Sequence, residues 1–233
     1  MKRCVVLMLL AIGCGASAGA EIRIVSLKGY VYARHNVQEE WVGVAAGDVL
    51  KPEDSMKLEK KSSATILIDG VRKIVVPESV ILDLSDLRTL TQEELLLKLA
   101  MEDVRGIPNQ PTGQPGDIHI PTTTTIHGEN KTPSTMPEPN PAQTGALQLN
   151  GARLLFDQGF YATCVLKTKG IVRRYPDLSN VMDAHVMIAD GLERMKLKGE
   201  ALREYLNIPG SSLTAEQRSI VEGKIARLKA KNP

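Results

Sequence analysis

Eight of the chain's 13 prolines fall between residues 105 and 144, among many threonines and almost no apolar periodicity. Such a stretch cannot bury enough surface to offset the entropy of ordering it. It predicts an extended tether, with a coil of about 40 residues spanning roughly 35 Å root-mean-square and proline stretching it further. The chain is thereby split into residues 21–104 and 145–233, each needing its own core. His119 and His127 lie in the tether, eight residues apart with no cysteine nearby, and read as incidental loop histidines rather than a metal pair.

Residues 1–20 have the three-part layout of a secretory signal: Lys2 and Arg3, an apolar run from Cys4 to Ile12, then small residues through Gly19 and Ala20. Export to the periplasm or the cell exterior is the expectation. Ala16-Ser17-Ala18 and Ala18-Gly19-Ala20 both offer a small-x-small cleavage site. Leu10-Ala11-Ile12-Gly13-Cys14 loosely resembles a bacterial lipoprotein signal, in which Cys14 would be acylated and the protein held at the outer membrane. Beyond the signal Cys164 is the lone cysteine, which leaves no internal disulfide and no cysteine metal site. Its place on an apolar helix face predicts a buried structural thiol. No run approaches the roughly 20 apolar residues of a membrane span. Lys2 and Arg3 account for the formal charge of +2. The remaining balance is acidic in residues 21–104 and basic in 145–233, which either draws the two parts together or reflects two ordinary solvated surfaces. Nothing is basic or aromatic enough to suggest nucleic acid.

Aromatic residues are absent from Val42 to Leu155, so the N-terminal core must be small and aliphatic. Residues 21–85 read as six or seven short strands. The clearest signal is Asp69-Gly70 between SATILI and VRKIVV, a pair suited to the positive φ angles of a primed hairpin turn. Gly29 and Gly47 fall at strand edges, and Pro77 separates VRKIVV from VILDL. A small β roll, sandwich or solenoid-like domain is expected. Thr91 and Glu94 then form a capping box that opens a helix through LTQEELLLKLAMEDVR. Its stripe of Leu95, Leu96, Leu99 and Ala100 is expected to pack on the open face of the β domain.

The order of these features resembles the FecR domain of bacterial periplasmic and extracellular regulators. Leu27-Lys28-Gly29-Tyr30-Val31 stands where that family has a strand with a glycine turn, and Gly47-Asp48-Val49-Leu50 where it has G-x-x-L. Ala64 through Gly70 matches its D-G hairpin, and Val76-Pro77-Glu78-Ser79 its closing segment. The resemblance covers about residues 21–85 and implies an exported, non-enzymatic domain that senses or binds a partner. Those regulators carry a cytoplasmic sigma-factor-binding region and a membrane span before the domain. The first twenty residues here match neither, so sigma-factor control is not implied.

From residue 145 the apolar period becomes helical. Leu147, Ala152, Leu155 and Phe156 mark a helix before Gly159; Tyr161, Cys164, Val165, Thr168, Ile171 and Val172 mark a second, ended at Tyr175-Pro176-Asp177. Helices around Val181–Leu192 and Ala201–Leu206 follow, and Thr214 caps a last one. Ala152, Gly159, Tyr161, Cys164 and Pro176 fall at the offsets of a tetratricopeptide repeat. A looser copy follows at Ala189, Ala201 and Tyr205. The resemblance implies a helical-repeat scaffold for a peptide or protein; a plain helical bundle is the simpler alternative. So short an array could complete itself on a partner or as a homodimer. His185 falls on an apolar face, where a core role is commoner than a ligand role.

The expected fold class is thus α+β with two domains, one all-β and one all-α. No nucleophile elbow, metal-ligand spacing or phosphate loop is present, so neither a catalytic group, a metal nor a cofactor is assigned. The expectation is an interaction or sensor protein of the bacterial envelope with a protein partner. Its alternative is a peptidoglycan- or polysaccharide-binding module, for which residues 21–104 supply only Tyr30, Tyr32 and Trp41 as aromatics.

Overall fold

The structure, a computed structural model, describes residues 21–36, 38, 40–105, 141–208 and 213–230. The expected signal with Cys14, the histidines His119 and His127, and residues 106–140 of the expected tether lie outside the described residues.

Among the described residues eight strands form two antiparallel sheets: β1 (Ile22–Lys28), β2 (Val31–Arg34), β3 (Val42–Gly43), β4 (Val49–Leu50), β5 (Ser55–Leu58), β6 (Ser63–Ile68), β7 (Arg72–Val76) and β8 (Val80–Asp83). The first sheet has the order β4-β1-β6-β7 and the second β3-β2-β5-β8. Alternation along each strand sends Ile22, Ile24, Ile66, Ile74 and Val76 of the first sheet and Val31, Ala33, Met56 and Leu58 of the second into one aliphatic core. The predicted hairpin forms at β6–β7. Asp69 and Gly70 both take positive φ, 51° and 69°, and the Val71 N–H closes the turn on the Ile68 carbonyl at 3.0 Å. Glu21 exchanges two hydrogen bonds with Asp69, which ties the start of β1 to this turn.

Strands β5 and β8 do not alternate: β5 is buried along its whole length and β8 through Leu82. An apolar run such as VILDL marks a strand covered on both faces, and the helices provide the second cover. Of α1 (Gln92–Arg105), α2 (Pro141–Asp157), α3 (Tyr161–Arg174), α4 (Val181–Arg194), α5 (Lys198–Leu206) and α6 (Ala215–Ala230), it is α2 that lies on β8. Its approach is close enough that a Cβ at Gly151 would stand 2.2 Å from the Ile81 carbonyl oxygen. Asn150 Nδ2 donates to the Ser79 carbonyl at 2.8 Å, and the Arg72 guanidinium lies 4.0 Å from the centre of the Phe160 ring while donating to the Gln158 carbonyl. One buried cluster therefore runs from both sheets into α2, α3 and α4, through Leu149, Leu155, Cys164 and Met187. The two parts of this α+β chain share a core.

Two sequence expectations are corrected here. The ends of the expected tether are helical: α1 continues through Arg105, and α2 begins with Pro141, in the first turn, whose N–H groups have no intrahelical partner to lose. Nor does α1 sit on the β sheets. Its capping box forms as expected, with Glu94 N–H to Thr91 Oγ1 at 3.1 Å and the reciprocal bond at 2.8 Å. But Leu95 is buried among Ala162, Val165, Ile188 and Leu192 of the helices, with Leu99 packed beside it, while Leu96 and Ala100 are exposed. The reason is supply: α2 already covers β8 of the second sheet, and α3 to α5 offer a second apolar cluster that Leu95 joins. Leu95→Ala should lower stability by about 2–5 kcal/mol and speed hydrogen exchange along α3 and α4 before β1 and β6. Acceleration confined to the sheets would return α1 to the β part.

Candidate partner groove at the junction of sheet and helices

The junction is clasped by charge. Asp83 ends β8 on its outer side, where its register partner is Ser55, and Asp86 lies in the short 3-10 turn Leu84–Asp86 that follows. Both reach Lys167 of α3. The ammonium contacts the Asp83 carboxylate directly and stands 3.0 Å from Asp86 Oδ2, off the line of a hydrogen bond, so that second contact is mainly coulombic. Ser55 Oγ donates to Asp83 Oδ1 at 2.6 Å.

The two carboxyls titrate in opposite directions. Burial pushes Asp83 up, but the Lys167 charge and hydrogen bonds from Lys167 and Ser55 outweigh it and leave the group below its ordinary value. Burial also pushes Asp86 up; Lys167 offsets only part of this, the Asp83 charge adds to it, and the group ends above its ordinary value. Burial alone would lower Lys167, yet Asp86 and Asp83 together hold it above the usual ammonium range. On mild acidification Asp86 takes its proton first. Its folded pKa is raised, so that step adds stability, while Asp83, whose folded pKa is depressed, keeps the clasp until the pH falls through its own lower value. A carbon-detected NMR titration of the side-chain carboxyls should show Asp86 titrating above and Asp83 below the ordinary aspartate range. The reverse order would mean that Lys167 sits on Asp86.

Beside the clasp a groove of about 660 Å³ opens between the sandwich, the 3-10 turn, α1 and α3. Ile22, Ile68 and Leu87 line its apolar part, and Lys98, Met101 and Lys167 stand around it. The outer side of α1 continues the apolar surface beyond the groove: Leu97 is 64% exposed and Met101, four residues on, 50%. Met101 belongs to both, so groove and ridge are continuous.

None of the described residues among those singled out as candidate sites from sequence lines this groove. Gly47 lies in the turn before β4 and donates to the Ile24 carbonyl at 2.8 Å; Asp69 and Gly70 make the hairpin described above. Gly159, at φ 82°, ends α2 in a Schellman motif, with the Phe160 N–H on the Leu155 carbonyl at 2.9 Å and its own N–H on Phe156 at 3.0 Å. Tyr161 meets Phe156 edge-on at 5.2 Å, Ala152 and Cys164 are buried, and Pro176 sits in the turn between α3 and α4. Burial pushes the Cys164 thiol up to about 12, with the sulfur 3.8 Å from Thr168 Oγ1. His185 is half-buried beside Lys169 and Glu204, and burial holds it below the ordinary imidazole value. These residues shape the scaffold. What the sequence reading missed is the set Asp83, Asp86, Lys167, Leu97 and Met101. A signal existed for part of it: three successive leucines, Leu95 to Leu97, turn through about 200° of a helix, so one of them had to face away from any single packing surface.

Searches of protein-family models, curated proteins and solved structures found no match to this chain. Among the described residues no helix is long and apolar enough to cross a membrane.

Proposed function

We propose that this is an exported bacterial envelope protein without enzymatic activity, which binds a protein or peptide partner in the groove between its β layer and α1. The observation that carries the reading is the groove's continuity with the exposed Leu97–Met101 ridge. Large apolar side chains bordering a concave site are the ordinary makings of a contact surface. The FecR-like order of the N-terminal segments and the tetratricopeptide-like spacing at Ala152, Gly159, Tyr161, Cys164 and Pro176 support the same class, since both belong to modules that bind proteins.

The test uses residues 21–233 as one chain, because cutting it would expose the shared core. Immobilised protein is expected to retain a specific envelope protein, and the double variant Leu97→Glu, Met101→Glu to lose it with an unchanged melting temperature. Equal capture by both proteins would refute the groove. Light scattering tests self-association: a dimer abolished by the same variant would make a second copy the partner. Fractionation of the producing cell tests export, and a cytoplasmic protein would overturn that part.

A further inference from the structure

Helix α2 lies over β8, and the neighbouring β5 is buried along its whole length. Farther across the same sheet β3 is exposed and Tyr32 and Arg34 of β2 are only half-buried, and this half holds every aromatic residue of the N-terminal part. Tyr32 and Arg34 alternate along β2 and so point to one face; Tyr30 immediately precedes the strand, and Trp41 joins them, its ring 4.9 Å from the Arg34 guanidinium. Tyr30 is 70% exposed. Across the strands Tyr32 stands opposite Lys57 on one side and Gly43 on the other, and a Cβ at Gly43 would meet nothing within 4 Å. That glycine leaves the neighbourhood of the Tyr32 ring open.

The N-terminal half of α2 closes the other side. Together they make a cleft of about 530 Å³, lined by Tyr30, Tyr32, Glu59, Lys60 and Gln143, with Leu147 behind them. The cleft is separate from the groove beside α1, with which it has no lining residue in common.

Its chemistry points to one class of ligand. Two tyrosines supply apolar ring faces, and Glu59, Lys60 and Gln143 supply both donors and acceptors at the edges. Lys57 Nζ at the base of the cleft lies 3.0 Å from Glu59 Oε1, so these two charges offset each other and Lys60 leaves the lining with a single net positive charge. A polyanion finds no clamp here, and a purely apolar segment would strip water from the Glu59 carboxylate without replacing it. A saccharide with equatorial linkages meets both demands, since its C–H faces stack on aromatic rings and its hydroxyls reach the rim. We propose that this cleft binds a β-1,4-linked saccharide chain, seated on Tyr30 and Tyr32.

The experiment titrates residues 21–233 with chitotetraose and, separately, cellotetraose at millimolar concentration, and follows backbone amide shifts. At least one should move amides at Gly43, Lys57 and Gln143. Tyr30→Ala, which removes a largely exposed ring, should weaken that binding by about fivefold or more and leave the melting temperature unchanged. Leu97→Glu should bind the saccharide normally, so failure of the partner groove and failure of this cleft are read apart. Silence from both saccharides, or shifts that persist in Tyr30→Ala, would overturn the proposal. So would decaproline moving the same amides when the saccharides do not, which would make the cleft a peptide site.

Discussion

Gly151→Ala is expected to lower the melting temperature by about 6–12 °C, from roughly 3 kcal/mol of overpacking in a chain of this size. The argument is geometric. The new Cβ would lie 2.2 Å from the Ile81 carbonyl oxygen, more than an ångström inside ordinary contact, and the obstacle is backbone in a strand held on both faces. No side-chain rotamer relieves it. Helix α2 must lift off β8, which lengthens the Asn150–Ser79 hydrogen bond and loosens the cluster around Leu149 and Leu155. Gly170→Ala is the matched control. Gly170 lies inside α3 with nothing within 4 Å of its would-be Cβ, so alanine there should gain about 0.5–1 kcal/mol of helix stability. Thermal unfolding followed by circular dichroism reads both. If the two variants behaved alike, α2 would not rest on the sheet.

Lys167→Met is the second large effect, and its size depends on pH. Removing the ammonium leaves Asp83 and Asp86 facing each other with only the weaker fields of Arg34 and Arg88 to offset their charges. Cutting a fully buried pair costs about 3–5 kcal/mol, but these side chains are 20–31% exposed, so about 2–3 kcal/mol is expected at pH 7. In the variant both carboxyls should titrate above their unfolded values. A group raised in this way destabilises the folded state when ionised and ceases to do so once protonated. The deficit should therefore be largest at neutral pH, shrink as the variant's carboxyls take their protons, and close only when the pH falls through the depressed Asp83 value of the wild type. Urea unfolding of wild type and variant across that range gives the difference directly. A deficit that stayed constant with pH would reduce Lys167 to a packing residue.

How much of this was legible in the sequence follows from the range over which each signal acts. The Asp69-Gly70 hairpin, the Thr91–Glu94 box and the stop at Tyr175-Pro176 depend on residues a few positions apart, and all three form. Pro141 misled because proline in a proline-rich run and proline at the first position of a helix look the same without the partner that the helix packs on. The clasp joins Asp83 to Lys167 across 84 residues, and no local pattern announces such a pair. The charge bias of the two parts was its only trace, and the bias alone does not separate attraction from ordinary solvated surface. The glycine at position 151 reads as a helix defect until the strand beneath it is known. The leucine run of α1 held more information than a stripe of four could use, since which leucine turns inward was decided by the helices it met.

Cys164 turns the shared core into something that can be timed. Its sulfur is buried on α3 beside the end of α2 and its thiol is held near 12, so at neutral pH almost no thiolate exists while the core is closed. In residues 21–233 it is the sole cysteine. The rate at which an excess of a thiol reagent labels it is then the rate, or the equilibrium, at which this core opens. The chain thus carries an intrinsic reporter inside its shared core, and a ligand that held the core closed would register as a slower clock.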